Sequence, residues 1–135
     1  MPVTDLWPEF KAPEAVNSPV FLLKEQAEKL RQKTGGLVLA ELRSASEADG
    51  SFWVGFDLCS PALGEYTYRL LVVTYPPQFI PITLTAENET KTAQSLPEFQ
   101  KNLEAVLRSA HTRQIVEAIM AQATALGASS RKIDN

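Results

Sequence analysis

One cysteine, Cys59, and one histidine, His111, are all the chain holds of the two residue types that most often bind metals or perform nucleophilic chemistry. A lone cysteine excludes an internal disulfide and the ligand sets of a structural zinc site, and it fits a reducing compartment. Positive charge is not in excess: 13 Lys and Arg stand against 16 Asp and Glu, a net charge of -3. That leaves little to hold a phosphate backbone, so no nucleic-acid partner is expected. No apolar run approaches the ~20 residues of a bilayer crossing. The start, Met1-Pro-Val-Thr-Asp-Leu-Trp-Pro8, lacks the basic stretch and apolar core of a signal peptide. No membrane partner is expected, and the expected location is cytoplasmic. Glycine pairs are as scarce. Gly35-Gly36 precedes a strand pattern, whereas a phosphate-cradling loop follows a strand and opens a helix. No metal or cofactor is expected. Asn88-Glu89-Thr90 matches a glycosylation sequon, but without a secretory leader it reads as part of a polar loop.

What is present is ordinary globular material, 44% apolar and 21% charged, in a length that fits one core. Residues 1–17 carry Pro2, Pro8 and Pro13 with Trp7 and Phe10 between them, a spacing that breaks helices and central strands alike. They form an irregular arm whose aromatics either dock on the domain's own surface or engage a partner. Ser18-Pro19 then opens a helix, Val20, Leu23, Ala27 and Leu30 give it one apolar stripe, and Gly35-Gly36 stops it.

From Leu37 the period becomes two. Val38, Ala40 and Leu42 share one face, and after an Asp49-Gly50 turn a second strand runs from about Ser51 to Cys59. A third, Tyr66–Tyr75, is apolar on both faces around Leu70-Leu71-Val72-Val73, and a fourth spans about Ile80–Ala86. The short gaps allow only antiparallel neighbours. After a polar loop, Ser95-Leu-Pro-Glu98 is a capping box, and Leu96, Phe99, Leu103, Val106 and Leu107 follow with helical period. Ser109-Ala-His-Thr112 caps a last helix, which Gly127 is expected to end, leaving 127–135 as a frayed tail. The expected fold is therefore α+β in the order α-β-β-β-β-α-α. Residues 18–126 form a four-stranded antiparallel meander with the helices on one face, in two layers.

The candidate chemistry is thin. His111 lies between two helices, where a terminal carbonyl can satisfy it. Cys59 closes a strand with no helix N-terminus or cation in its neighbourhood to activate it. Glu41 and Asp57 are placed to face each other across adjacent strands. Trp53, Tyr66, Tyr68 and Tyr75 would suit a stacking platform, but the second and third strands supply only Arg69 as a cation. The residues expected to bind a partner are Trp7, Phe10, Trp53, Tyr68 and Tyr75.

Thr74-Tyr-Pro-Pro-Gln-Phe-Ile-Pro81, with the order of elements around it, resembles the Tyr-Pro turn between strands three and four of RWD domains and ubiquitin-conjugating-enzyme folds, the last proline lying one residue later. The family's reactive cysteine and its His-Pro-Asn segment follow strand four; residues 86–98 contain neither. The resemblance thus implies a non-catalytic protein-interaction module. Phe21-Leu-Leu-Lys-Glu-Gln-Ala27, Ser60–Leu70 and Ile115–Gln122 resemble stretches of small stand-alone bacterial proteins, which implies a bacterial setting.

These readings favour a non-enzymatic protein-binding module, such as an adaptor, a secretion chaperone or an immunity-type protein. Two alternatives stand beside it. One is a small-molecule binder or enzyme with a pocket between sheet and helices that uses Asp57, Tyr68, Arg69 and His111. The other is a homodimer paired along the edge formed by Leu37–Ser44.

Overall fold

Helix α1, Pro19–Lys33, starts as the Ser-Pro pair dictates: the Ser18 hydroxyl accepts the Phe21 amide at 3.1 Å. It stops at Thr34, which is buried. The Thr34 hydroxyl donates to the Leu30 carbonyl (2.9 Å) and accepts the Val38 amide (3.1 Å), fastening the helix end to the first strand. Gly35 and Gly36 take positive φ, and the Gly36 amide returns to the Arg31 carbonyl at 2.9 Å. The computed structural model describes residues 4–11 and 18–133, so residues 1–3 and 12–17 of the arm and the last two of the tail lie outside it.

Five strands follow, β1 (Leu39–Ser46), β2 (Phe52–Cys59), β3 (Thr67–Tyr75), β4 (Ile82–Ala86) and β5 (Glu89–Ala93), all antiparallel and in sequence order. The expected meander is present, with one strand more than expected. β5 takes most of what reads as a polar loop. Its sequence, Glu-Thr-Lys-Thr-Ala, buries only Ala93, so no apolar alternation betrays it. Glu87 and Asn88 both adopt positive φ (54° and 80°), the two-residue turn that matches strand twist. Threonine pairs lie opposite one another across this hairpin, Thr83 with Thr92 and Thr85 with Thr90.

The two-sided apolar run in β3 has a local cause. Pairing of β2 with β3 shifts between Phe56 and Asp57, leaving Leu70 as an extra residue, so that Leu70 and Leu71 are both buried. Val54, Phe56, Leu58, Leu71, Val73, Ile82 and Leu84 form one face and join Leu23, Phe99, Leu103 and Ile119 of the helices in the core. Packing these side chains out of water is the main source of stability.

Helix α2, Leu96–Leu107, has the expected cap. The Glu98 amide donates to the Ser95 hydroxyl (3.3 Å), while the Glu98 carboxylate accepts the Gln94 amide (3.1 Å), one residue outside the usual reciprocal bond. Helix α3, Ala110–Ile133, starts where the Ser109 hydroxyl accepts the Thr112 amide (3.2 Å). It does not end at Gly127. That residue keeps a helical φ instead of the left-handed one of a helix stop, and the helix runs on to Ile133. α1 packs on β1, α2 on β4 and β5, and α3 on α2 and on the 3-10 turn Pro61–Leu63 that links β2 to β3. The helices thus lie over the two sides of one sheet face, and the middle strands β2 and β3 run beneath the gap between α1 and α2.

Candidate functional site

That gap is a groove of ≈ 450 Å³, within the range of sites that take ligands or peptide side chains. Phe56, Leu58, Leu70 and Leu103 form its floor, and the half-buried Leu22, Leu30, Leu107 and Val116 its walls. The rim is basic. Lys29 and Lys33 stand on α1, Arg108 at the end of α2 and Arg113 on α3, against one rim carboxylate among the described residues, Glu104. Glu104 pairs with Arg108 (3.3 Å) and Glu117 with Arg113 (3.7 Å), whereas Lys29 and Lys33 make no ion pair among the described residues. On an acidic protein this is a local reversal of sign. It favours a ligand that is apolar along its length and negative at its margins. A pocket between sheet and helices is among the sequence expectations, but none of the four residues expected in it lines this groove, whose residues come from α1, β2, β3, α2 and α3 and share no local pattern.

His111 does not bond a terminal carbonyl. Its Nδ1 lies 3.0 Å from a Glu87 carboxylate oxygen and its Nε2 3.1 Å from the Tyr68 hydroxyl. In the neutral imidazole Glu87 favours the tautomer with the proton on Nδ1, which leaves Nε2 to accept from Tyr68. A hydroxyl, an imidazole and a carboxylate in series can activate a nucleophile. The adjoining cavity, however, is only ≈ 90 Å³, well under the ~300 Å³ of small ligand sites. The chain of bonds therefore ties the start of α3 to β3 and to the β4–β5 turn. Glu87 was invisible to sequence reading because it lies in the turn of an unrecognised hairpin.

The sheet face away from the helices carries a second polar cluster. Glu41 and Asp57 are opposite in register, as expected. Asp57, only 3% exposed, accepts from Arg69 Nε (2.8 Å) and Nη2 (3.0 Å) and from Arg43 Nε (3.1 Å). The Arg69 guanidinium lies over the Trp53 ring, 4.8 Å from its centroid. Gly55 makes this possible, because a Cβ there would stand 3.0 Å from Arg69 Nε and 3.1 Å from the Trp53 ring. Cys59, beside this cluster, is buried. Burial first, then the Glu41 charge, pushes its thiol above the ordinary range, the opposite of activation.

The five expected binding residues do not converge. Trp53 lies on the open face beneath Arg69; Tyr68 faces the helices and bonds His111. Tyr75 is buried between Phe52 and Phe79, with ring centroids at 5.4 and 5.8 Å. The aromatic set is therefore split between the two faces. So is the pocket set, because Asp57 and Arg69 lie on the face opposite Tyr68 and His111. Trp7 and Phe10 do not dock on the domain: they are 76% and 72% exposed, their rings 6.0 Å apart. Among the described residues no group of His, Cys, Asp and Glu is placed to hold a metal ion, and no helix is long and apolar enough to cross a membrane. Compared with known protein families, curated proteins and solved structures, the chain matches none.

Proposed function

We propose that the protein is a non-enzymatic protein-binding module of the bacterial cytoplasm, and that it captures a short acidic, apolar segment of its partner in the groove between α1 and α2. The observation that carries this reading is the pairing of an apolar floor with four rim cations, two of them without an ion pair among the described residues, on a chain whose net charge is negative. The floor supplies area, and the rim supplies orientation and salt-dependent attraction.

The test is fluorescence anisotropy with short labelled peptides carrying two large apolar residues flanked by Asp or Glu, or by Lys in the control. The acidic peptide binds the wild-type chain. Lys29→Glu/Lys33→Glu weakens it about tenfold, as two reversed contacts of roughly 0.7 kcal/mol each would. Equal binding of the acidic and basic peptides, or an unchanged affinity in the double variant, contradicts the reading.

A further inference from the structure

The most exposed large apolar side chains among the described residues belong to one short segment. Leu6, Trp7 and Phe10 are 89%, 76% and 72% exposed, against 51% for the next, Leu126. Asp5 and Glu9 interleave with them, Lys11 follows at the segment's end and leaves it a net charge of one negative, and the Asp5 carboxylate accepts the Trp7 amide at 3.0 Å. A row of bare apolar side chains with acidic neighbours is a surface waiting for a cover. The groove is a surface of the complementary kind. Its α1 wall runs from Leu22 to Lys33, ~17 Å of helix, while Leu6 to Phe10 in extended form covers ~13 Å. Asp5 and Glu9 would meet the basic rim, where Lys29 and Lys33 have no ion partner among the described residues.

The arm is not seated in the groove of its own chain, since Trp7 and Phe10 face solvent. We propose, resting on the groove reading above, that residues 4–11 of one copy dock in the groove of a second copy and the exchange is returned. Two arms filling two grooves satisfy both surfaces in a closed two-fold dimer. The same contact explains what a foreign partner must offer: it competes with the arm by presenting the same acidic, apolar pattern.

Sedimentation equilibrium of the full chain, up to high micromolar concentration, tests this. The expected result is a reversible dimer whose dissociation constant rises about tenfold or more in Trp7→Ala/Phe10→Ala, in Lys29→Glu/Lys33→Glu and in high salt. All these residues are exposed, so both variants should keep the wild-type circular dichroism spectrum. Mixing the arm variant with the groove variant restores one intact contact per pair, so heterodimers exceed either homodimer. A monomer throughout the range overturns the exchange, as does a dimer indifferent to the arm variant, which would indicate pairing along β1. The two readings fail separately: if the chain is monomeric but acidic peptides still bind it, the exchange is wrong and the groove stands; if neither occurs, both are wrong.

Discussion

The two faces of the sheet solve the same problem in different ways. Toward the helices, Val54, Phe56, Leu58, Leu71, Val73, Ile82 and Leu84 are sealed by helical side chains, except along the α1–α2 gap. On the other face no helix is packed among the described residues, and the sheet covers itself: Arg69 spans Gly55, lies on Trp53 and closes over the buried Asp57 with Arg43. The first face is non-directional, and its stability scales with area. The second rests on a few geometrically exact charge-assisted bonds.

The largest effect expected from breaking this contrast is at Phe56, fully buried beneath the groove. Phe56→Ala should cost about 3–5 kcal/mol in urea denaturation, the sum of lost transfer and a cavity. Trp53→Ala, on the other face, should cost about 1–2 kcal/mol, because its ring is half-exposed and mainly supports Arg69. Equal losses would mean that the open face is a second core.

Next comes Asp57. Asp57→Ala leaves Arg43 and Arg69 without their shared acceptor, but both guanidiniums are about half-exposed and rehydrate. A loss of about 2 kcal/mol is expected, below that of a fully buried pair. A loss as large as that of Phe56→Ala would show that the charge cluster, and not the apolar face, dominates the sheet.

Legibility in the sequence follows the same division. The apolar face announced itself by period, so the helix starts, the antiparallel order and the core were readable from Ser18, Ser95 and the alternation around Val54. β5 was not, because a strand that buries only Ala93 has no pattern to read. Leu70-Leu71 looked like a two-sided strand; a bulge makes it so. Gly127 carries the composition of a stop without the conformation of one. The groove and the Glu87–His111–Tyr68 chain depend on which distant elements meet, and no local spacing encodes that.

A smaller effect concerns pH. Burial raises the Cys59 thiol and the Tyr75 hydroxyl above their ordinary values. In the unfolded chain these groups lose their protons first, from about pH 8.5 for cysteine and about pH 10 for tyrosine. The unfolded state then binds fewer protons than the folded one, so stability is full below those values and falls as pH rises through them. Thermal unfolding from pH 7 to pH 10.5 should show that decline, and Cys59→Ala should remove its earlier part. A midpoint that holds steady across the range would contradict the burial of both groups.

The smallest effect on folding is expected at the rim. Lys29→Glu/Lys33→Glu should leave the urea midpoint within about 0.5 kcal/mol of wild type, since both side chains are exposed and make no ion pair among the described residues. A larger loss would make them structural, and the groove's charge would need another explanation.

The most direct measurement is a titration of a fluorescein-labelled peptide of residues 4–11 with the chain carrying Trp7→Ala/Phe10→Ala, whose own arm no longer competes. Saturable binding is predicted, weakened about tenfold by adding Lys29→Glu/Lys33→Glu and again by high salt. Absent binding, or equal affinity for the Asp5→Lys/Glu9→Lys peptide, would contradict the claim that the groove selects acidic, apolar segments.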